Sequence, residues 1–143
     1  MIRTAIIEDD PRIAADIAEV IRQADDVELV ASAGSVATGC KLIDDGGFDV
    51  LVCDLGLPDG DGATLIRKAA AQYPDIDILV LTMFADHHKV LDAIRAGARG
   101  YLLKDQKLGE CVAAIREVRN GGSPISPIIA RLLLKELSPQ EPV

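Results

Sequence analysis

Val50-Leu51-Val52-Cys53-Asp54-Leu55-Gly56-Leu57-Pro58-Asp59-Gly60-Asp61-Gly62 is an apolar run that stops at a carboxylate and opens into a loop rich in glycine and aspartate. A continuous apolar run bounded by turn residues reads as a strand buried on both faces. Gly56, Pro58, Gly60 and Gly62 supply the punctuation that ends it. Asp54 is therefore expected at the carboxyl end of a central strand, on the rim of a core. In open α/β sheets that rim is where ligands bind.

The same alternation of apolar run and helix-spaced segment extends in both directions. Upstream, Ile2 to Ile7 leads into Glu8-Asp9-Asp10-Pro11, a first strand ending in three carboxylates, with Asp10 placed as N-cap and Pro11 as first helical residue. Ile13, Ile17, Val20, Ile21 and Ala24 line one face of that helix. Val27 to Ala31 forms a second strand, and Ser35 caps a helix with Val36, Cys40 and Ile43 inward, closed by Gly46-Gly47. Downstream, Ala63 to Tyr73 is a helix with Leu65, Ile66 and Ala69 inward, ended by Pro74. Asp77 to Thr82 is a fourth strand, and Asp86 caps a helix carrying Val90, Leu91 and Ile94. Gly100 to Lys104 is a fifth strand ending in a cation. A helix from about Leu108 to Asn120, with Val112, Ile115 and Val118 inward, stops at Gly121-Gly122.

Alternating strands and helices with short connections require right-handed crossovers into a parallel sheet covered on both sides. The expected fold is α/β: a flavodoxin-like, doubly wound (βα)5 sheet with strand order 2-1-3-4-5, plus a C-terminal linker helix. Pro124, Ser126 and Pro127 mark the linker, and Ile128, Ile129, Leu132, Leu133, Leu134 and Leu137 give the helix a broad apolar face that must pack on something. Ser138-Pro139-Gln140-Glu141 then looks like the cap of a further helix. The expected organisation is one domain over 1–121, a linker and extra helix over 122–137, and the start of a truncated second domain at 138–143.

Composition narrows the function. The 143 residues carry a net charge of −8, which argues against this segment holding a nucleic-acid backbone bound through Lys and Arg. Cys40, Cys53 and Cys111 are odd in number and far apart, so neither a disulfide framework nor a zinc site is indicated. No apolar run reaches membrane-spanning length and no signal pattern opens the chain. The expected setting is a reducing cytoplasm, with no membrane partner.

Because parallel strands put their carboxyl ends on one edge, Glu8, Asp9, Asp54, Thr82 and Lys104 collect there. Two carboxylates ~6 Å apart repel by roughly 3 kcal/mol at an effective dielectric near 20. A cation is therefore expected among them, and Mg²⁺ fits because it takes oxygen ligands and keeps exchangeable waters. An aspartate can attack phosphorus to form an acyl phosphate, and a carboxylate of ordinary pKa needs no general base at neutral pH. Phosphoryl transfer mostly requires positioning and charge neutralisation.

These residues at these spacings resemble the receiver domain of two-component response regulators from Ile2 to about Asn120. The match is carried by the acidic pair after the first strand, C-D-L-G-L-P-D-G-D-G after the third, L-T-M-F-A-D after the fourth and G-A-R-G-Y-L-L-K-D around the fifth. The resemblance implies that Asp54 accepts a phosphoryl group from a sensor histidine kinase. It implies that Asp9, Asp54 and the Gly56 backbone carbonyl ligate Mg²⁺ and that Glu8 acts through metal-bound water. Thr82 and Lys104 would contact phosphoryl oxygens, and Thr82 and Tyr101 would be the switch residues, Tyr101 the aromatic one. G-G-S-P-I-S-P-I-I-A-R followed by L-S-P-Q-E looks like the NarL/FixJ group, in which the receiver controls a LuxR-type helix-turn-helix. DNA would then be bound only through that output domain, and phosphorylation would favour a homodimer. Asp105 follows Lys104 where many receivers have proline.

Taken singly, these residues have plainer readings: Glu8-Asp9-Asp10 as a capping cluster, Thr82 as a turn hydroxyl, Lys104 as a solvated cation, Tyr101 as core packing. His87 and His88 point different ways on a helix and are expected at the surface. Two other functions compete with a switch that only phosphorylates and dephosphorylates itself. One is a Mg²⁺-dependent aspartyl-phosphate phosphatase, which usually carries a second Asp two residues after the nucleophile, where Gly56 stands. The other is a receiver-like interaction domain that is never phosphorylated.

Overall fold

The computed structural model describes residues 1–83, 86–104 and 109–139. In chain order its elements are β1 (Ile2–Ile7), α1 (Pro11–Arg22), β2 (Val27–Ala33), α2 (Val36–Asp45) and β3 (Val50–Cys53), then β4 (Gly56–Leu57), β5 (Gly60–Asp61) and α3 (Gly62–Gln72). β6 (Asp77–Thr82), α4 (His87–Ala96), β7 (Gly100–Leu103), α5 (Gly109–Arg119) and α6 (Pro127–Leu137) complete it. The main sheet is parallel with order β2-β1-β3-β6-β7. Counting only its five strands, that is the 2-1-3-4-5 order expected. β4 and β5 form a separate antiparallel hairpin inside what the sequence marks only as loop.

Strand alternation builds two cores. Ile6, Val50, Val52, Leu79, Leu81 and Leu102 pack with α1 and α5, through Ile17, Ile21, Val112, Ile115 and Val118. Ile7, Leu51, Cys53, Ile78, Val80 and Tyr101 face α2, α3 and α4. Full burial of each such large side chain stabilises by about 1.5–3 kcal/mol. The caps expected from sequence form. Asp10 accepts from the Arg12 N–H, Ser35 and Thr38 make a reciprocal capping box, and Asp86 accepts from the His88 and Lys89 N–H groups.

Several expectations shift. β2 runs two residues further, to Ala33. On α2 the fully buried positions are Gly39, Leu42 and Ile43, whereas Val36 and Cys40 are half-buried, because Gly39 lies directly against Leu65 of α3. On α4 it is Val90 and Ala93 that are buried, with Leu91 and Ile94 half-exposed. Leu108, Phe84, Ala85, Asp105, Gln140 and Glu141, on which parts of the sequence reading fall, lie outside the described residues.

The largest departure concerns the linker. Pro124 to Ser126 runs alongside β7: the Tyr101 N–H donates to the Pro124 carbonyl at 2.9 Å, and the Ser126 N–H donates to the Tyr101 carbonyl at 3.0 Å. Gly100 permits this approach, since a Cβ there would sit 2.9 Å from the Pro124 oxygen. The Leu103 N–H donates to Ser126 Oγ at 3.2 Å. α6 then folds back so that Ile129 is buried in the core that holds Tyr101, Val90 and Ala93, with Leu132 and Leu133 half-buried beside it. His87 Nε2 meets Glu136 Oε2 at 2.9 Å between α4 and α6. Ile128, Leu134 and Leu137 remain exposed.

Candidate functional site

Each functional side chain is placed by the end of a strand. Glu8 and Asp9 follow β1, Asp54 follows β3, Thr82 ends β6 and Lys104 follows β7. Glu8 and Asp54 are both 5% exposed, and Asp9 is exposed. One carboxylate oxygen from each of the three lies within 4.8 Å of the others. Asp10 does not join them fully, because its carboxylate caps α1 while its own N–H donates to Glu8 Oε2 at 3.1 Å. Lys104 Nζ bridges the cluster, 2.9 Å from Asp54 Oδ2 and in contact with Glu8 Oε1. The Gly56 N–H donates to Asp54 Oδ1 at 3.2 Å. A cleft of about 220 Å³, bordered by Asp9, Ile13, Asp54, Gly56, Met83 and Lys104, opens onto the cluster. A larger groove of about 540 Å³ between α1 and β2 is mostly apolar, with Glu19, Arg22 and Glu28 on its border, and none of the clustered carboxylates lines it.

Electrostatics within the site follow from burial and pairing. Desolvation lifts the Glu8 pKa above the ordinary carboxylate value, and the Asp54 charge pushes the same way, against the opposing contacts with Lys104 and the Asp10 N–H. Burial would lower Lys104, but its bonds to Glu8 and Asp54 outweigh that and hold it charged. Three carboxylates against one ammonium leave the site two positive charges short of neutrality. Hard oxygen donors at this spacing, beside an accessible main-chain segment at Gly56, fit a cation of the Mg²⁺ type. Cys53 precedes Asp54, yet complete burial pushes its thiol pKa far up, so it is no nucleophile.

Thr82 and Tyr101 do not border the cleft. Thr82 is buried, and its carbonyl accepts from the Lys104 N–H at 2.8 Å. Tyr101 is fully buried beside Val80 in the register of β6 and β7, so alternation puts Thr82 and Tyr101 on the same face of the sheet, toward α4. Burial raises the Tyr101 phenol pKa.

Other residues, read from sequence only as parts of a turn-rich loop, shape the site. A Cβ at Gly62 would lie 2.1 Å from the Asp54 carbonyl oxygen, so only glycine lets α3 start against the strand end. Asp61 caps α3 through the Ala63 N–H at 3.0 Å. Asp59 reaches across to the first turn of α2. The D-G-D-G run was legible as turn chemistry, but the partners of Asp59 on α2 are tertiary.

A family model described as the response regulator receiver domain matches residues 4–116. The chain belongs to that family. This receiver is 32% identical over 137 residues to the DNA-binding transcriptional activator DevR/DosR of Mycobacterium tuberculosis, covering 96% of this chain and 63% of that protein. It is 31% identical to the transcriptional regulatory protein LiaR of Bacillus subtilis, over 96% of this chain and 65% of that one. The receiver thus spans about three fifths of the length of such relatives. A two-component response regulator of the LuxR family from Aurantimonas sp. SI85-9A1 has the same fold at a TM-score of 0.85 and 28% identity, over 94% of this chain and 96% of that chain. The isolated REC domain of RcsB from Salmonella enterica serovar Typhimurium, solved in the presence of phosphomimetic BeF3-, agrees in fold at a TM-score of 0.81 and 23% identity, over 92% of this chain and 97% of that chain. The receiver's relatives are accordingly LuxR-family response regulators, and no helix among the described residues is long and apolar enough to cross a membrane.

Proposed function

We propose that Asp54 accepts a phosphoryl group from the phosphohistidine of a sensor histidine kinase in a Mg²⁺-dependent reaction, and that the modified receiver controls a DNA-binding output domain. The observation that carries this reading is the buried Asp54 carboxylate, held between Lys104 and the Gly56 N–H with Glu8 and Asp9 alongside. Asp54 and Asp9, with the Gly56 carbonyl, would hold Mg²⁺, and Glu8 would act through a bound water. When bound, the ion neutralises charge on the transferring group and orients it. An Asp54 oxygen attacks phosphorus, the P–N bond breaks, and its electron pair leaves on the donor imidazole. Lys104 then exchanges a carboxylate partner for a phosphoryl oxygen, and Thr82 donates its hydroxyl to another. Gly56 offers no general acid where a phosphatase needs one, so the chemistry is limited to self-phosphorylation and slow self-dephosphorylation.

The switch reading extends to the linker. Movement of Thr82 and Tyr101 toward the modified site would reach the segment hydrogen-bonded to Tyr101 and Leu103, and through it α6. Residues 1–121 act as the receiver, 122–137 as linker and helix, and 138–143 as the beginning of the output domain. Phosphorylation would favour homodimerisation. RcsB, a neighbour in fold, has been solved as two dimers bound to two parallel DNAs. Incubation with a small acyl phosphate and Mg²⁺ is expected to give an acid-stable, base-labile modification on the wild type and none on Asp54→Asn. Uptake that persists at another residue overturns the assignment.

A further inference from the structure

The hairpin that presents Gly56 is two residues per strand, Gly56–Leu57 against Gly60–Asp61. A ladder this short is not stable by itself. One end is fixed where Gly62 lies against the Asp54 backbone, its N–H donating to the Leu55 carbonyl at 2.9 Å. The tip, Pro58-Asp59-Gly60, is exposed, and the Asp59 side chain ties it down. Asp59 Oδ1 accepts from the Val36 N–H at 2.6 Å and Oδ2 from the Ala37 N–H at 3.1 Å, which are the first two donors of α2. A carboxylate on free N–H groups at a helix start makes charge-assisted bonds favoured by the helix dipole. These two bonds hold the Asp59 pKa below the usual carboxylate range. α2 already has its own cap in the reciprocal bonds of Ser35 and Thr38, so Asp59 is not needed to start the helix.

We infer that Asp59 is a positioning residue for the phosphoacceptor site: by tethering the hairpin tip to α2, it fixes the Gly56 main chain and thereby the geometry in which Asp54 and Gly56 meet the metal. The inference rests on the Mg²⁺-dependent reading of the site above. Asp59 touches neither the metal nor the phosphoryl group. Its effect runs through backbone, three residues away along the chain. Partners that orient metal ligands from outside the coordination sphere change affinity by about 10–100-fold when removed, and one that acts through main chain belongs at the lower end.

The test compares full-length wild type, Asp59→Ala, Asp59→Asn and Ser35→Ala by calorimetric Mg²⁺ titration, and by phosphorylation with a small acyl phosphate across a range of Mg²⁺ concentrations. Asp59→Ala is expected to weaken Mg²⁺ binding about tenfold and to raise the Mg²⁺ needed for half-maximal phosphorylation by the same factor, with the rate at saturating Mg²⁺ largely recovered. Asp59→Asn, which keeps one acceptor oxygen, falls between Asp59→Ala and wild type. Ser35→Ala removes the other cap of α2 without touching the hairpin, and it lowers stability while leaving the Mg²⁺ affinity in place. An unshifted Mg²⁺ affinity in both Asp59 variants overturns the inference, and so does an equal shift in Ser35→Ala. Wild type that binds no Mg²⁺ overturns the underlying reading as well, so the two failures are distinguishable.

Discussion

A Cβ at position 62 would stand 2.1 Å from the Asp54 carbonyl oxygen, so Gly62→Ala has to displace either α3 or the end of β3. Such overpacking against rigid backbone costs about 1–3 kcal/mol. A matching drop in urea midpoint, with weakened phosphorylation, is the expected result. Glu8 makes a prediction of opposite sign. Its folded pKa lies above the ordinary value, so protonation favours the folded state. Its penalty is fully present above that folded pKa and is relieved as pH falls through it. Asp26, Asp49 and Asp59 have depressed pKa values, and the stability they add is present above the unfolded aspartate pKa and lost as pH falls below it. The metal-free protein should therefore reach its highest melting temperature at mildly acid pH, and Glu8→Gln should flatten the rise from neutral pH. An unchanged slope in Glu8→Gln would remove Glu8 as the cause. Glu8, Asp9, Asp54 and Lys104 were legible in sequence because parallel strands deliver their carboxyl ends to one edge. Gly62 and Asp59 were not, because their roles depend on which loop lies across from them.

Among the elements, those with a clear period were readable and those without were not. β3 and β6 announce themselves as unbroken apolar runs, and α1 as a helical stripe from Ile13 to Ala24, of which the helix itself takes in all but Ala24. β4 and β5, two residues each, are too short for any alternation to register. The Pro124–Ser126 segment reads as linker because Pro124 and Ser126, with Ser123 and Pro127 around them, favour turns, while its extended pairing is imposed by the open edge of β7. For α6 the sequence showed an apolar face broad enough to need a partner, but the partner, α4 with Tyr101, emerges only from the fold. Ile129 is 1% exposed and Leu137 is 81% exposed. Ile129→Ala should cost about 2–4 kcal/mol in chemical denaturation and Leu137→Ala less than about 0.5 kcal/mol. Equal effects would mean that α6 does not dock as described.

Across the whole molecule the two ends of the sheet are charged differently. At the amino ends of the strands, Arg3 grips Asp49, and Arg99 and Arg119 both reach Asp77, so each of these carboxylates has a guanidinium partner. At the carboxyl ends Glu8, Asp9 and Asp54 outnumber Lys104. Added Mg²⁺ should therefore stabilise the entire fold by about 2.7 kcal/mol at a hundred times its dissociation constant. Asp9→Asn should lose most of that gain in a thermal melt. The strap along β7 also decides where this receiver can be joined to something else. A chimera spliced just beyond Asn120 would leave Tyr101 without two main-chain partners and leave an empty socket where Ile129 sat. A splice beyond Leu137 keeps both, so a grafted reporter would hang from a finished edge with the fold beneath it undisturbed.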